Sequence, residues 1–270
     1  MAERPLTLLL VHAHPDDEAS TTGGILAKYA AEGVRTVLVT CTNGELGDHP
    51  EAKPGDEAHS TEEVVALRLR ELRASCDVLG VHHLELLGYH DSGMMGWESN
   101  DAPGSFWSMP VEEAAKPLVA LLEKYQPQVV VTYDDFGFYG HPDHIQAHRI
   151  TLAALDATGS DAKLYFPAFK RSDMPAFLAA LEEAGLEPPE IDQDSFGAPD
   201  EAIGATIDCV AQAPQKRAAL EAHESQRENI PFLDFPEAVF VTAFGTEHYV
   251  RARPETGTTE DDLFAGVPGR

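Results

Sequence analysis

The chain alternates short apolar runs with longer amphipathic stretches, and that alternation predicts its fold. The first run, Leu6 to Val11, is six residues of which five are Leu or Val. A short unbroken run of this kind reads as a strand buried on both faces. Residues 6–13 are therefore read as a strand and 21–32 as a helix, stopped by Gly33. A strand over 35–42 and a helix over 60–79 follow. The helix has a capping box, Ser60 with Glu63, and a glycine stop at Gly80. Next come a strand over 82–87, a helix over 111–125 with Pro117 inside it and a kink expected there, and the strand Val129-Val130-Val131-Thr132-Tyr133. A helix over 145–155 completes this half. The βαβαβαβ order implies a Rossmann-like, doubly wound, mostly parallel sheet.

The second half is less regular. A strand over 163–166, a helix over 174–184 capped by Ser172 or Asp173, a strand over 205–210 and a helix over 214–223 are predicted. Residues 187–201 read as an acidic, Pro-containing surface loop. Beyond 228 only 249–252 reads as regular structure. Nothing repeats and no linker divides the chain, so residues 1–270 are read as one α/β domain with a C-terminal elaboration.

Charge narrows the partners. Nineteen Lys and Arg stand against 46 Asp and Glu, a formal net charge of −27. That field disfavours nucleic acid and anionic membranes and points to a small-molecule partner. No stretch approaches the roughly 20 apolar residues of a membrane span, and the N-terminus lacks a signal-peptide pattern. Cys41, Cys76 and Cys209 are odd in number and widely spaced, as expected of reduced thiols in a cytoplasmic protein.

Two strand ends carry the chemistry. His14-Pro15-Asp16-Asp17-Glu18 follows the first strand, and Asp134-Asp135-Phe136-Gly137-Phe138-Tyr139-Gly140-His141-Pro142-Asp143-His144 follows the fourth. Open α/β sheets bind ligands at the carboxyl ends of their strands. Carboxylates crowded there repel one another, and a cation relieves the repulsion. A catalytic zinc takes three ligands from His, Asp or Glu and keeps a position for water. The candidates are His14, one aspartate of the Asp16–Asp17 pair, and His141 or His144. Adjacent side chains diverge, so one aspartate can bind metal while the other acts as a general base. His144 and His148, four residues apart, share a helix face, so His148 is a rival ligand. No Gly-x-Gly-x-x-Gly follows the first strand, which excludes the dinucleotide-binding reading.

These residues resemble the LmbE-like (PIG-L) family of zinc-dependent de-N-acetylases. Thr40-Cys41-Thr42-Asn43-Gly44-Glu45, Asp91-Ser92-Gly93-Met94 and Ala222-His223-Glu224-Ser225-Gln226 extend the likeness toward the family's mycothiol-pathway members, a deacetylase and a thiol-conjugate amidase. The resemblance implies one Zn2+ per chain, with Fe2+ able to replace it in such an oxygen and nitrogen site. It implies that His14, Asp17 and His144 are the ligands and Asp16 the general base. It further implies that His141 stabilises the tetrahedral intermediate, Tyr139 polarises the substrate carbonyl, Asp143 orients His141, and Arg68 and Asp91 contact substrate. The implied reaction is hydrolysis of an N-acetyl group on a small glucosaminyl compound. The alternatives are cleavage of a thiol conjugate and a non-catalytic metal- or sugar-binding protein. Thr21 and Gly140 stand where the amidase-like members carry Lys and Pro. An oligomer is compatible with this reading.

The remaining histidines and aromatics have plainer readings beside functional ones. His82 and His83 are expected to be structural, and His49 and His59 to lie in a solvated lid. His223 either reaches the site or stabilises its own helix end. Trp97, Phe106 and Trp107 either wall the substrate or fill the core.

Overall fold

Thr7–His12 forms strand β1, with every residue buried. It is the middle of the parallel part of a sheet in a computed structural model that describes residues 4–56, 58–187, 197–255 and 257–270. The other strands are β2 (Arg35–Thr42), β3 (His83–Tyr89), β4 (Val129–Val131), β5 (Lys163–Ala168), β6 (Ile203–Asp208) and β7 (Thr246–Arg253). Their order is β3-β2-β1-β4-β5-β7-β6. The first five run parallel, with Leu9 registered against Val37 on one side and Val130 on the other. β7 runs antiparallel to both β5 and β6 and forms the C-terminal elaboration.

Alternation along β1 divides the core. Leu8 and Leu10 face one layer with Ile25, Leu72, Leu220 and Phe240. Leu9 and Val11 face the other with Leu118, Leu122 and Ile150. Helices therefore cover both faces, as a parallel sheet requires. β3, at the sheet edge, has no fully buried residue.

The chain winds from β1 toward β2 and β3, then crosses to β4 and β5. The crevice beyond the carboxyl ends of β1 and β4 is thus the topological switch point, where ligands bind in such sheets. Both His/Asp-rich segments open onto it.

Several elements differ from expectation. The helix expected over 111–125 is two, Val111–Ala114 and Lys116–Tyr125, with Pro117 in the first turn of the second, where its missing N–H costs nothing. Asp173 stands at the start of the helix Met174–Glu183 but makes no side-chain cap, because its carboxylate pairs with His248 at 2.6 Å. The helix Glu237–Phe244 lies where no element was expected. Its sequence, with Val and Phe at four of eight positions, carries no helical signal of its own and is helical through packing. Of the loop expected over 187–201, residues 188–196 lie outside the described residues. No helix among the described residues is long and apolar enough to cross a membrane.

Candidate active site

The helix after β1 starts at Asp17, four residues before its expected start, so Asp17 and Glu18 occupy its first turn. Carboxylates are stabilised there by the helix dipole. Asp16 precedes it with φ 125°, in the left-handed region. Backbone of that kind costs of order 1–3 kcal/mol and persists only where its surroundings hold it. Arg68 supplies much of the hold. Its Nη2 donates to Pro15 O at 2.6 Å and to Asp16 Oδ2 at 2.9 Å, and its Nη1 donates to Gly44 O at 2.7 Å. A Cβ on Gly44 would meet Nη1 at 2.5 Å, so only glycine fits beneath the guanidinium. The helix after β4 likewise starts early, running Pro142–Thr158 with His141 as its cap. Asp143 and His144 therefore sit on a helix's first turn and not in a loop.

Asp17 Oδ2 stands between two imidazole nitrogens at these helix starts. Asp17 Oδ2 lies 3.3 Å from His14 Nδ1 and 3.5 Å from His144 Nε2. Bonds of about 2.0–2.2 Å in a tetrahedral zinc site place ligand atoms roughly 3.3–3.5 Å apart. His144 Nδ1 donates to Gly137 O at 3.2 Å, while its Nε2 is buried and makes no hydrogen bond. That leaves a lone pair aimed at a site with no protein donor, as a metal ligand needs. His14 Nε2 donates to Asp143 Oδ2 at 3.2 Å, so Nδ1 is the nitrogen that faces Asp17. The ligand atoms of His14, His141 and His144 also lie within 4.8 Å of one another, as do those of His14, Asp91, His141 and Asp143. The donor set fits a divalent cation of the zinc type.

Without a cation, the crowded carboxylates draw a proton onto His14 instead. Burial opposes charge on His14, but Asp91, Asp143 and Asp17 outweigh it and raise its proton affinity well above normal. Burial would raise Asp17, yet His144 and His14 hold it well below the carboxylate range. Asp16 behaves oppositely. Burial raises it to about 6, with Asp17 adding to the rise and Arg68 opposing it. One carboxylate is thus a fixed anion and its neighbour can exchange a proton near neutrality. His141 is depressed to about 3 by burial and by His14 and His144. Its Nδ1 accepts the Asp143 N–H at 3.1 Å, so the neutral ring carries its proton on Nε2. Tyr139, half exposed, stands edge-on to His144 with ring centroids 5.0 Å apart.

Two expected contacts take a different form. Asp143 was expected to orient His141; its carboxylate instead accepts from His14 and from Ser92 N at 2.9 Å, and only its backbone touches the His141 ring. The early start of the helix turns this side chain toward β1. Arg68 was expected at the substrate; its guanidinium is buried under the first loop and committed to Pro15, Gly44 and Asp16. Asp91 lies 3.7 Å from His14 Nε2, with Oδ1 accepting the Gly93 N–H at 2.8 Å. His148 donates from Nδ1 to Tyr133 O at 2.9 Å and stands outside the ligand cluster.

A cavity of about 650 Å³ begins at Asp16, Asp17, Tyr139 and His144. It continues along the start of β7 past Phe169, Phe177, Phe232 and Phe244, so the C-terminal elaboration supplies its far wall. Phe106 is buried and stacks on Tyr89, Trp107 packs against Arg149, and Trp97 is exposed; none of the three lines this cavity.

A model of the PIG-L family, described as GlcNAc-PI de-N-acetylase, matches residues 9–155, which span both helix starts. The chain belongs to the PIG-L family. A relative from Geodermatophilus obscurus is 42% identical, covering 97% of this chain and 98% of its own. Another, from Acidothermus cellulolyticus, is 44% identical, covering 97% and 95%. Both are named 1D-myo-inositol 2-acetamido-2-deoxy-alpha-D-glucopyranoside deacetylase. Among solved structures, the N,N'-diacetylchitobiose deacetylase of Pyrococcus horikoshii shares the fold with a TM-score of 0.54 at 24% identity, over 87% of this chain and 72% of that one. The zinc-inhibited form of teicoplanin deacetylase Orf2 does so with a TM-score of 0.57 at 20% identity, over 92% and 100%.

In this PIG-L chain a residue that the sequence motif does not announce holds two of the candidate ligands. Tyr133 donates to Asp17 Oδ2 at 2.7 Å, accepts the Ala13 N–H at 2.9 Å, and stacks on His144 with centroids 4.1 Å apart. It thus ties together the two helix starts that carry the candidate ligands. The clue available beforehand was a polar aromatic ending a buried strand. Tyr133→Phe keeps the stacking and removes the hydrogen bond, and is expected to weaken metal affinity about 10- to 100-fold. Competition with a chelator of known affinity measures this; unchanged affinity would remove Tyr133 from the support of Asp17.

Proposed function

We propose that this chain is a metal-dependent N-deacetylase that hydrolyses the acetamide of a small N-acetylglucosaminyl compound and releases acetate. One observation carries the reading. A His14–Asp17–His144 ligand set stands beside a separate carboxylate, Asp16, that is outside the set and has its pKa near 6. The names of the relatives supply the substrate class.

A zinc or ferrous ion held by His14, Asp17 and His144 would polarise the acetamide carbonyl and acidify a water. The chain's own groups do the rest. Asp16, ionised, takes the proton of the attacking water as oxygen bonds to the carbonyl carbon. Arg68 keeps the accepting carboxylate in place through the 2.9 Å contact to Oδ2. His141 Nε2–H donates to the oxygen that gains negative charge, and Tyr139, whose phenol burial raises, keeps its proton and donates beside it. Asp16 then returns its proton to the nitrogen as the carbon–nitrogen bond breaks, leaving acetic acid and the amine, which part as acetate and ammonium once the acid's proton passes to the amine. Asp143 fixes the tautomer of His14 in place of orienting His141. Asp91 is assigned to a substrate hydroxyl.

Incubation of the zinc-loaded protein with N-acetylglucosaminyl-inositol, N-acetylglucosaminyl-malate and N-acetylglucosamine, with acetate measured, tests the substrate class. Acetate is expected from at least one of them. Cleavage of a thiol conjugate with no acetate from any of the three would overturn the proposal in favour of an amidase.

A further inference from the structure

The strained backbone of Asp16 is held from a second side, by residues that the reaction above leaves unused. Glu18 is fully buried. Its Oε2 accepts the Asp16 N–H at 3.0 Å. Its Oε1 accepts from Ser75 Oγ at 2.5 Å and from His223 Nε2 at 2.7 Å. His223 is also fully buried and reaches Glu18 across 205 residues of sequence. The turn that carries it is itself anchored. Ser225 donates from N and Oγ to the Glu71 carboxylate at 2.8 and 2.6 Å, and Gln226 donates to Asp48 O at 2.9 Å.

We propose that Glu18 and His223 form a positioning pair for Asp16: His223 holds one oxygen of Glu18 so that the other stays on the Asp16 amide and keeps its carboxylate aimed at the attacking water. Neither residue lines the cavity. The geometry explains why a carboxylate tolerates full burial there. Its two oxygens receive three hydrogen bonds, and the donors come from the helix Thr61–Leu79, the turn at His223 and the Asp16 backbone. Arg68 grips Asp16 by its side chain and the preceding carbonyl, whereas Glu18 grips it by its amide. Both grips are satisfied together with Asp16 at φ 125°. The proposal rests on Asp16 being the general base.

The test compares His223→Phe with His223→Gln in the zinc-loaded, full-length protein. Gln can still donate to Glu18; Phe fills the space and cannot. A misplacement of the base by a fraction of an ångström to 1 Å is expected to cost about 10- to 100-fold in kcat, with KM within about twofold. Zinc content should remain that of the wild type, and His223→Gln should recover kcat to within about threefold of it. Hydrogen exchange at the Asp16 amide gives a reading independent of turnover: protection should fall in His223→Phe and persist in His223→Gln. Should His223→Phe fail to fold, Ser75→Ala removes another donor to the same Glu18 oxygen and should lower kcat about two- to fivefold at unchanged zinc content. Wild-type kcat in these variants, equal losses in Phe and Gln, or a loss of kcat that tracks a loss of zinc would each overturn the pair's role. If the wild type deacetylates none of the substrates, the function assigned above fails, and continued protection of the Asp16 amide in His223→Phe would still overturn the pair on its own.

Discussion

Asp16→Asn is expected to bind metal as tightly as the wild type and to lose roughly 10²- to 10⁴-fold in kcat, the contribution typical of a general base. The asymmetry follows from the two neighbouring carboxylates. Asp17 lies between His14 Nδ1 and His144 Nε2, whereas Asp16 faces Arg68 and the cavity. Asn keeps an oxygen for Arg68 and, of the residues other than glycine, is among those most tolerant of positive φ, so the loop should keep its shape. Only the ability to take a proton is removed. Metal analysis and steady-state kinetics on one preparation decide the matter. Turnover near that of the wild type would take Asp16 out of the chemistry, and loss of metal would make it a ligand. The wild-type pH profile adds a check. Asp16 works as an anion, and its pKa in the structure is about 6. Activity should therefore be retained above that value and fall as pH drops through it. A nearby cation stabilises the anion, so the acid limb should lie at or below about pH 6. An acid limb well above that would point to another base.

His144→Ala is expected to strip the metal. A structural site of four ligands binds with about 10–16 kcal/mol, so one ligand carries about 2.5–4 kcal/mol, or about 10²- to 10³-fold in Kd. Here the loss also removes the ring stacked on Tyr133, so Asp17 loses part of its support at the same time. Equilibrium dialysis against buffered zinc measures the affinity. His148→Ala is the control, because its ring bonds to the Tyr133 carbonyl outside the cluster and its loss should leave the metal in place. Full metal retention in His144→Ala would sink the ligand set; loss in His148→Ala would restore the rival set.

Much of the site's position was legible in the chain, because it depends on local order. An apolar run followed by His14-Pro15-Asp16-Asp17-Glu18, and another followed by His141-Pro142-Asp143-His144, place both motifs at strand ends. The alternation of strand and helix then puts those ends on one edge of a parallel sheet. Less legible was where each helix begins. Asp17 and His144 were expected in loops and stand on first turns, since a helix start is set by which N–H groups find partners once the loops are docked. The helix Glu237–Phe244 went unseen for a related reason. Its apolar residues have no period that one helix face would impose, and it is held chiefly by the helix Met174–Glu183, with β7 and the helix Ala213–Glu221 beside it.

The sequence by itself determined the doubly wound order, the two motif-bearing strand ends, and the supply of histidines and carboxylates there. These follow from hydrophobic period and residue type, which act over a few residues. The tertiary structure alone decided which partner each group received. Tyr133 reaches Asp17 across 116 residues, His14 meets Asp143 across 129, and Arg68 secures Asp16 across 52. Those pairings set which aspartate is a fixed anion and which sits near neutrality, and identical side chains side by side carry no local signal for that difference. Burial and the neighbours brought in by packing create it.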